Sequence, residues 1–397
     1  MTPIQGSQWM RHWSLDRDVV FLNHGSFGAC PTPVLDAQAR LRARLEAEPV
    51  RFFNEEYQPL LDQARLQLSR FIGAGEEGLA FVPNATTGVN TILHSLELEP
   101  GDELLTTDHE YNACRNALDV VAERRGAKVV VAPLPFPLRS PNEVSEAILS
   151  RVTPRTRLAL IDHITSATAL ILPMETLVEE LRRRDVDTLV DGAHAPGMVP
   201  LDLDRLGAAY YAGNCHKWLC APKGAGFLHV RADRRAGIRP LTISHGAKLP
   251  LEGRTRFRLE FDWTGTSDPT PILALPAAVE FLGSLLPGGW EALRDHNQRL
   301  ARRGRDLLCA ALELPPPAPD GMLGNMAAVP LPPHPTPEGI SAFLADPLQH
   351  ALMERFHIEV PVIPWPRPPH RLIRISAQIY NSEEQYAFLA GKLPPLL

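Results

Sequence analysis

Between residues 59 and 243, short apolar runs alternate with stretches whose apolar residues recur at helical spacing. That alternation restricts what the chain can fold into. GLAFVP (78–83) reads as a buried strand. TTGVNTILHSL follows, with Val89, Ile92, Leu93 and Leu96 at i, i+3, i+4 and i+7, one face of a helix. The pattern repeats. DELLTT is strand-like, and NACRNALDVVAERRG is helical up to Gly126. AKVVVAP and RTRLALIDHI are strands, and METLVEELRRR is a helix with basic residues in its last turn. VDTLVDGAH, AAYYAG and GAGFLHV complete the set. Strands alternating with helices of this length predict an α/β domain around a mainly parallel sheet, flanked by helices. Residues 1–58 and 271–397 are expected to form a smaller α+β domain from both chain ends. Residues 244–270 would be an interdomain segment near the site.

Composition narrows the function classes. The chain has 397 residues, 44% apolar and 22% charged, enough for a sizeable core. Its formal charge of −6, with both signs scattered, gives no footing for nucleic acid or an anionic membrane. No apolar run approaches the length of about 18 residues that a spanning helix needs, and the N-terminus lacks a leader pattern, so a cytoplasmic protein is expected. Five cysteines, an odd number, do not suggest a disulfide framework. The 39 prolines, about twice the usual ~5% share, concentrate in 314–339 and 360–371, read as loops or edge segments.

In an open parallel sheet, ligands sit at the C-terminal ends of the strands. Thr86 and Thr87 follow the first strand where a helix begins, and they read either as an ordinary cap or as a phosphate site. Asp191 ends a strand in an apolar setting and needs a partner, either a cap or salt bridge or a group such as a pyridine nitrogen that must stay protonated. His194 follows three residues later. Lys217, between His216 and Trp218, stands where desolvation lowers an amine's pKa and makes it nucleophilic, as a Schiff-base lysine requires. A metal site at Cys215, His216 and Cys220 lacks paired C-x-x-C spacing, and no metal is expected. GAGEEG (73–78) matches G-x-G-x-x-G but follows a helix and precedes a strand, so it reads as a helix cap and turn.

Seven segments, NHGSFG, NATTGVN, TTDHEYNA, DHITSATALILP, DGAHAPG, CHKWLCAPKGAGFL and TGTSDPTP, stand in the order found in class V aminotransferases. The chain resembles these pyridoxal-phosphate (PLP) enzymes of fold type I, and within them the isopenicillin N epimerase-like subgroup. The resemblance implies PLP on Lys217, which also acts as acid and base. It implies Asp191 at the pyridine nitrogen, and His194 with Ser166 at the ring's phenolic oxygen. Tyr111, or alternatively His109, would stack on the ring. Thr86, Thr87 and His216 would hold the phosphate, with Thr266 reaching the phosphate of a second subunit in a homodimer. Arg374 would grip the substrate carboxylate, with Asn23 and His24 shaping the pocket.

Loss of the Cα proton of an amino acid is the implied common step, and its outcome stays open between epimerisation, transamination and C–S β-elimination. Cysteine desulfurases need a nucleophilic cysteine ahead of the carboxylate-binding arginine, and the nearest here is the distant Cys309. A metal hydrolase built on His109, His163, His194 and His216, and a catalytically silent α/β binding protein, are the readings from other classes.

Overall fold

The computed structural model describes residues 4–251, 253–334 and 346–397. The proline-rich stretch expected at 314–339 therefore lies partly outside the described residues. Among the described residues there are twelve strands: β1 (Val20–Phe21), β2 (Leu79–Val82), β3 (Glu103–Thr107), β4 (Lys128–Ala132), β5 (Thr156–Asp162), β6 (Asp187–Gly192), β7 (Tyr210–Asn214), β8 (Gly226–Val230), β9 (Met326–Leu331), β10 (Ile358–Glu359), β11 (Val362–Pro364) and β12 (Arg371–Ser376). The central sheet has seven strands in the order β2-β8-β7-β6-β5-β3-β4. Only β8 runs against the others, pairing antiparallel with both β2 and β7. The mainly parallel α/β sheet predicted from the sequence is thus present.

The strands read as nearly continuous apolar runs because both sheet faces are covered. Alternate residues of β5 divide between two cores. Leu158 and Leu160 join Ala80, Leu189 and Leu228 on one face, and Ala159 and Ile161 join Phe81, Val190 and Phe227 on the other. The second core also takes Val34, Leu45, Leu61, Leu275 and Ala278. Segments from both chain ends therefore pack against the central sheet as well as against one another. The three-stranded sheet β11-β12-β9 packs on the helices Gly289–Ala311 and Glu383–Lys392 around Ala327, Val329, Ile373 and Ile375. The proline-bearing strands β9 and β11 are its edges, as proline's missing N–H requires.

Strand order reverses between β3 and β5. β4 continues outward from β3, whereas β5 returns to its other side. That switch point opens a crevice at the carboxyl ends of the strands. The segments after β2, β3, β5, β6 and β7 all meet there. GAGEEG is the turn expected: Gly73 caps the helix Tyr57–Ile72 in the left-handed conformation, at φ 60°. The helix Pro141–Leu149, between β4 and β5, was not distinguished by the sequence pattern.

A buried ion pair ties this frame together. Arg65, fully buried in the helix Tyr57–Ile72, donates to Asp262 and to the carbonyl of Leu79 at the start of β2. Removing one member of such a pair leaves the other charged and unpaired. Asp262→Ala is expected to destabilise the apo chain by about 3–5 kcal/mol. Arg42→Ala, which breaks the exposed pair with Asp268, is expected to cost less than about 1 kcal/mol. Urea denaturation of the two variants checks the contrast.

Candidate active site

The helix Ala85–Ser95 opens directly after β2. Asn84 caps it by accepting from the Thr87 N–H at 2.8 Å and from the Thr87 hydroxyl at 3.0 Å. Asn214, at the end of β7, accepts from the Ala85 N–H at 2.8 Å. Gly88 lets this helix lie on β7, since a Cβ there would sit 2.9 Å from the Ala212 side chain. Thr86 and Thr87 thus stand at a helix N-terminus that favours an anion. The Thr87 hydroxyl is already committed to the cap.

Asp191 lies at the end of β6, register-paired with Asp162 of β5. It is buried, and its oxygens accept from the Ala193 N–H at 2.9 Å and the Cys114 thiol at 3.1 Å. Among the described residues no arginine or lysine forms an ion pair with it. Burial raises its pKa, while Cys114, Ala193 and Lys217 oppose the rise. Glu110 and Asp162 are pushed well above the ordinary carboxylate range, first by burial and then by neighbouring carboxylates. Donor atoms of Glu110, Cys114 and Asp191 lie within 4.8 Å of one another. This acid cluster was not read from the sequence, although Asp162 in ALIDH ends its strand just as Asp191 does.

Lys217 follows β7, and its Nζ is 3.2 Å from His194 Nε2. Trp218 Nε1 is 3.2 Å from His194 Nδ1. An indole N–H only donates, so Nδ1 accepts and the neutral ring carries its proton on Nε2. That proton points at the lysine nitrogen, which accepts it as a free amine. Burial, and then the positive charge of Arg374, lower the Lys217 pKa to about 8. Desolvation, followed by the charge of Lys217, keeps His194 well below its ordinary value.

The lysine's backbone is held separately. His24 Nε2 donates to the Lys217 carbonyl at 3.0 Å, and its Nδ1 accepts from the Tyr380 hydroxyl at 2.8 Å. Both ring nitrogens of His24, expected to shape the substrate pocket, are used within the protein, and the residue is fully buried. It braces the lysine turn. Gly28, at φ 69°, packs on the same turn; a Cβ there would lie 2.1 Å from the His216 carbonyl. His216 Nδ1 donates to the Ala225 carbonyl at 3.1 Å, and burial lowers its pKa to about 4.

Arg374, on β12, is buried with its Nε lacking a partner. Its Nη1 donates to the Ser166 carbonyl at 2.7 Å and lies 3.3 Å from the Ser166 hydroxyl, and its Nη2 donates to Ser26 at 2.9 Å. Ser166, expected at a ring oxygen, is therefore turned onto the guanidinium. Among the described residues no carboxylate pairs with Arg374, and burial lowers its pKa to about 10. Asn23, expected at the substrate pocket, is partly exposed and bonds Ser26 and Glu359. Tyr111 is partly exposed, and its pKa is raised by burial and by Cys114 and Asp191 and lowered by Arg374. His109, the alternative for stacking, is buried with its ring nitrogens on Thr168 and the Leu134 carbonyl. Thr266 is exposed. The four histidines of the metal-hydrolase reading do not converge, and His163 bonds Tyr211 instead.

PLP fits this donor set. A buried carboxylate without a cationic partner suits a protonated pyridine nitrogen, a free amine suits a carbonyl, and a helix N-terminus suits a phosphate. Together with the switch-point crevice, these define the frame of a PLP-dependent enzyme of fold type I. The chain belongs to the class V aminotransferase family: residues 21–332 match the family described as Aminotransferase class-V. It is 41% identical to isopenicillin N epimerase of Amycolatopsis lactamdurans, over 96% of each chain. It is 31% identical to a putative L-cysteine desulfhydrase of Oryza sativa subsp. japonica, over 96% of this chain and 85% of that one. Among solved structures it is similar to the cystine C–S lyase C-DES in complex with cysteine persulfide, with TM-score 0.77 and 25% identity, covering 95% of this chain and 97% of that one. A C-DES mutant with glycine covalently linked to its PLP cofactor superposes at TM-score 0.79, with 24% identity, covering 97% and 98% of the two chains.

The lowered lysine pKa has a checkable sign. The unfolded chain binds the extra proton between about pH 8 and 10.5, so this group costs stability below about pH 8, and the cost is relieved as pH rises through that window. Reductive methylation of Lys217 in the apo protein, followed by mass spectrometry, is expected to reach half-maximal rate near pH 8. Arg374→Met is expected to move that midpoint upward, because it removes a neighbouring positive charge.

Proposed function

We propose that this PLP-dependent enzyme inverts the Cα configuration of an amino acid, in the manner named for its isopenicillin N epimerase relatives. The observation that carries the amino-acid part is Arg374: buried, cationic, without a carboxylate partner, and electrostatically linked to Lys217 and Tyr111. A guanidinium left in this state awaits a carboxylate, which it binds bidentately. Identity of 41% and 40% to two isopenicillin N epimerases supports the epimerase part.

When bound, PLP supplies an electron sink for the charge that develops at the substrate Cα. Asp191 would hold the pyridine nitrogen, and His194 would donate to the ring's phenolic oxygen. Tyr111 would cover a ring face. Thr86, Thr87 and His216 would hold the phosphate. Because His216 spends Nδ1–H on Ala225, it donates to a phosphate only as the imidazolium, which a nearby dianion favours. Arg374 fixes the substrate carboxylate and so selects which Cα bond is weakened. Lys217, its pKa lowered to about 8, moves the proton at Cα on its own side. The Tyr111 hydroxyl serves as the second acid, and two groups on different faces permit inversion.

A homodimer goes with this reading. Thr266 is exposed, and Leu241, Ile243, Leu249 and Leu251 leave large apolar side chains exposed on the neighbouring segment. Thr266 of a second copy would complete the phosphate site. Among the described residues no single helix is long and apolar enough to cross a membrane. The five unpaired cysteines suit a cytoplasmic setting.

A C–S β-lyase reading is the second, favoured by the desulfhydrase relatives. It would use Lys217 alone, since all five cysteines are buried and burial raises the Cys30 thiol to about 12. Incubation of the holoenzyme in deuterium oxide with isopenicillin N and with single-enantiomer amino acids discriminates the two. Inversion with deuterium at Cα is expected. Sulfide and pyruvate from cysteine, or stoichiometric keto acid, without inversion of any compound, would overturn epimerisation. Lys217→Ala is expected to lower Cα exchange by about 10²–10⁴-fold.

A further inference from the structure

We propose that Ser26, Asn23 and Glu359 form a one-way hydrogen-bond relay that positions Arg374 for the substrate carboxylate. The inference rests on the reading of Arg374 given above. Arg374 Nη2 donates to the Ser26 hydroxyl at 2.9 Å, the Ser26 hydroxyl donates to Asn23 Oδ1 at 2.5 Å, and Asn23 Nδ2 donates to Glu359 Oε1 at 2.9 Å.

The direction follows from chemistry rather than from assigned hydrogens. A guanidinium only donates, so Ser26 must accept from it. An ionised carboxylate only accepts, so Asn23 turns its NH₂ to Glu359 and its oxygen to Ser26. Ser26 has one proton, and it goes to Asn23. Each member has one consistent role, and the chain ends on a carboxylate with no arginine or lysine partner among the described residues.

The purpose follows from what a direct ion pair would do. A carboxylate against Arg374 would neutralise it and occupy the fork that the substrate needs. A carboxylate three hydrogen bonds away fixes the guanidinium plane and polarises its N–H groups while leaving Nε unpartnered. The scaffold holds both ends. The Leu22 N–H donates to the Glu359 carbonyl at 2.9 Å, Phe21 pairs with Glu359 across β1 and β10, and the Ser376 N–H donates to the Leu22 carbonyl at 2.9 Å. Residues 22–26 are thereby clamped between the strand bearing Glu359 and the strand bearing Arg374. These are positioning residues: none is needed to touch the substrate.

The test uses the holoenzyme and two probes, glycine and methylamine, which differ only by the carboxylate. Binding of each is followed by the change in cofactor absorbance. Glu359→Leu and Ser26→Ala are expected to weaken glycine binding at least tenfold and to change methylamine binding less than twofold. Glu359→Gln, which keeps an acceptor for Asn23, is expected to stay within about threefold of wild type for glycine. Ser26→Ala removes a single oxygen and keeps the test open if Glu359→Leu folds poorly. Wild-type glycine binding in both Glu359→Leu and Ser26→Ala, with loss in Arg374→Met, would overturn the relay and leave the function reading standing. Unchanged glycine binding in Arg374→Met would overturn the reading itself. Equal weakening of both probes in the relay variants would also overturn the relay.

Discussion

Burying a charge without its counter-charge is among the most costly arrangements a folded chain can hold, and this one holds two. Arg374 has no carboxylate partner and Asp191 has no basic ion-pair partner among the described residues, and both are buried. Both act on Lys217, yet they form no ion pair with each other. On the proposed reading, the positive end awaits a substrate carboxylate and the negative end the cofactor's ring nitrogen. Lys217 sits in the field of both, and its net displacement is downward because burial and Arg374 outweigh Asp191 and Asp162. The lowered lysine pKa thus follows from burial and from the same Arg374 charge that is proposed to bind the substrate.

Backbone supports keep this arrangement from relaxing. His24 holds the Lys217 carbonyl, and Trp218 sets the tautomer of His194. Burial and neighbouring carboxylates push the Glu110 and Asp162 pKa values well above the ordinary carboxylate range, which disfavours piling further negative charge beside Asp191. The thiol of Cys114 donates to Asp191 in place of a basic residue, stabilising the carboxylate without pairing it.

The fold was legible in the sequence because both faces of the sheet are apolar and the strands are punctuated by helices. The segments 79–82, 103–107, 128–132, 156–162, 187–192, 210–214 and 226–230 fall where the alternation puts them. The class V family and its cofactor were legible too, through seven short segments at strand ends. Less legible was what each polar side chain touches. His24 and Asn23 were recognised as near the site, but spacing alone does not say that one braces a backbone and the other relays to Glu359, far along the chain. Ser166 was assigned to a ring oxygen because strand-end position does not encode rotamer. Asp162 was missed although it ends β5 as Asp191 ends β6, since its meaning arises only from cross-strand register.

The clamp that joins residues 22–26 to Glu359 and Arg374 has a consequence for the order of events when the protein is made. The central sheet, its lysine and its aspartate are all complete by Val230, but the strand bearing Arg374 is the last of the twelve. During synthesis from the N-terminus, a chain that carries all seven strands of the central sheet still lacks Arg374, the group proposed to recognise an amino acid. Before Arg374 has been made, the positive charge that helps lower the Lys217 pKa is missing too, so the group proposed to select the substrate also tunes the amine.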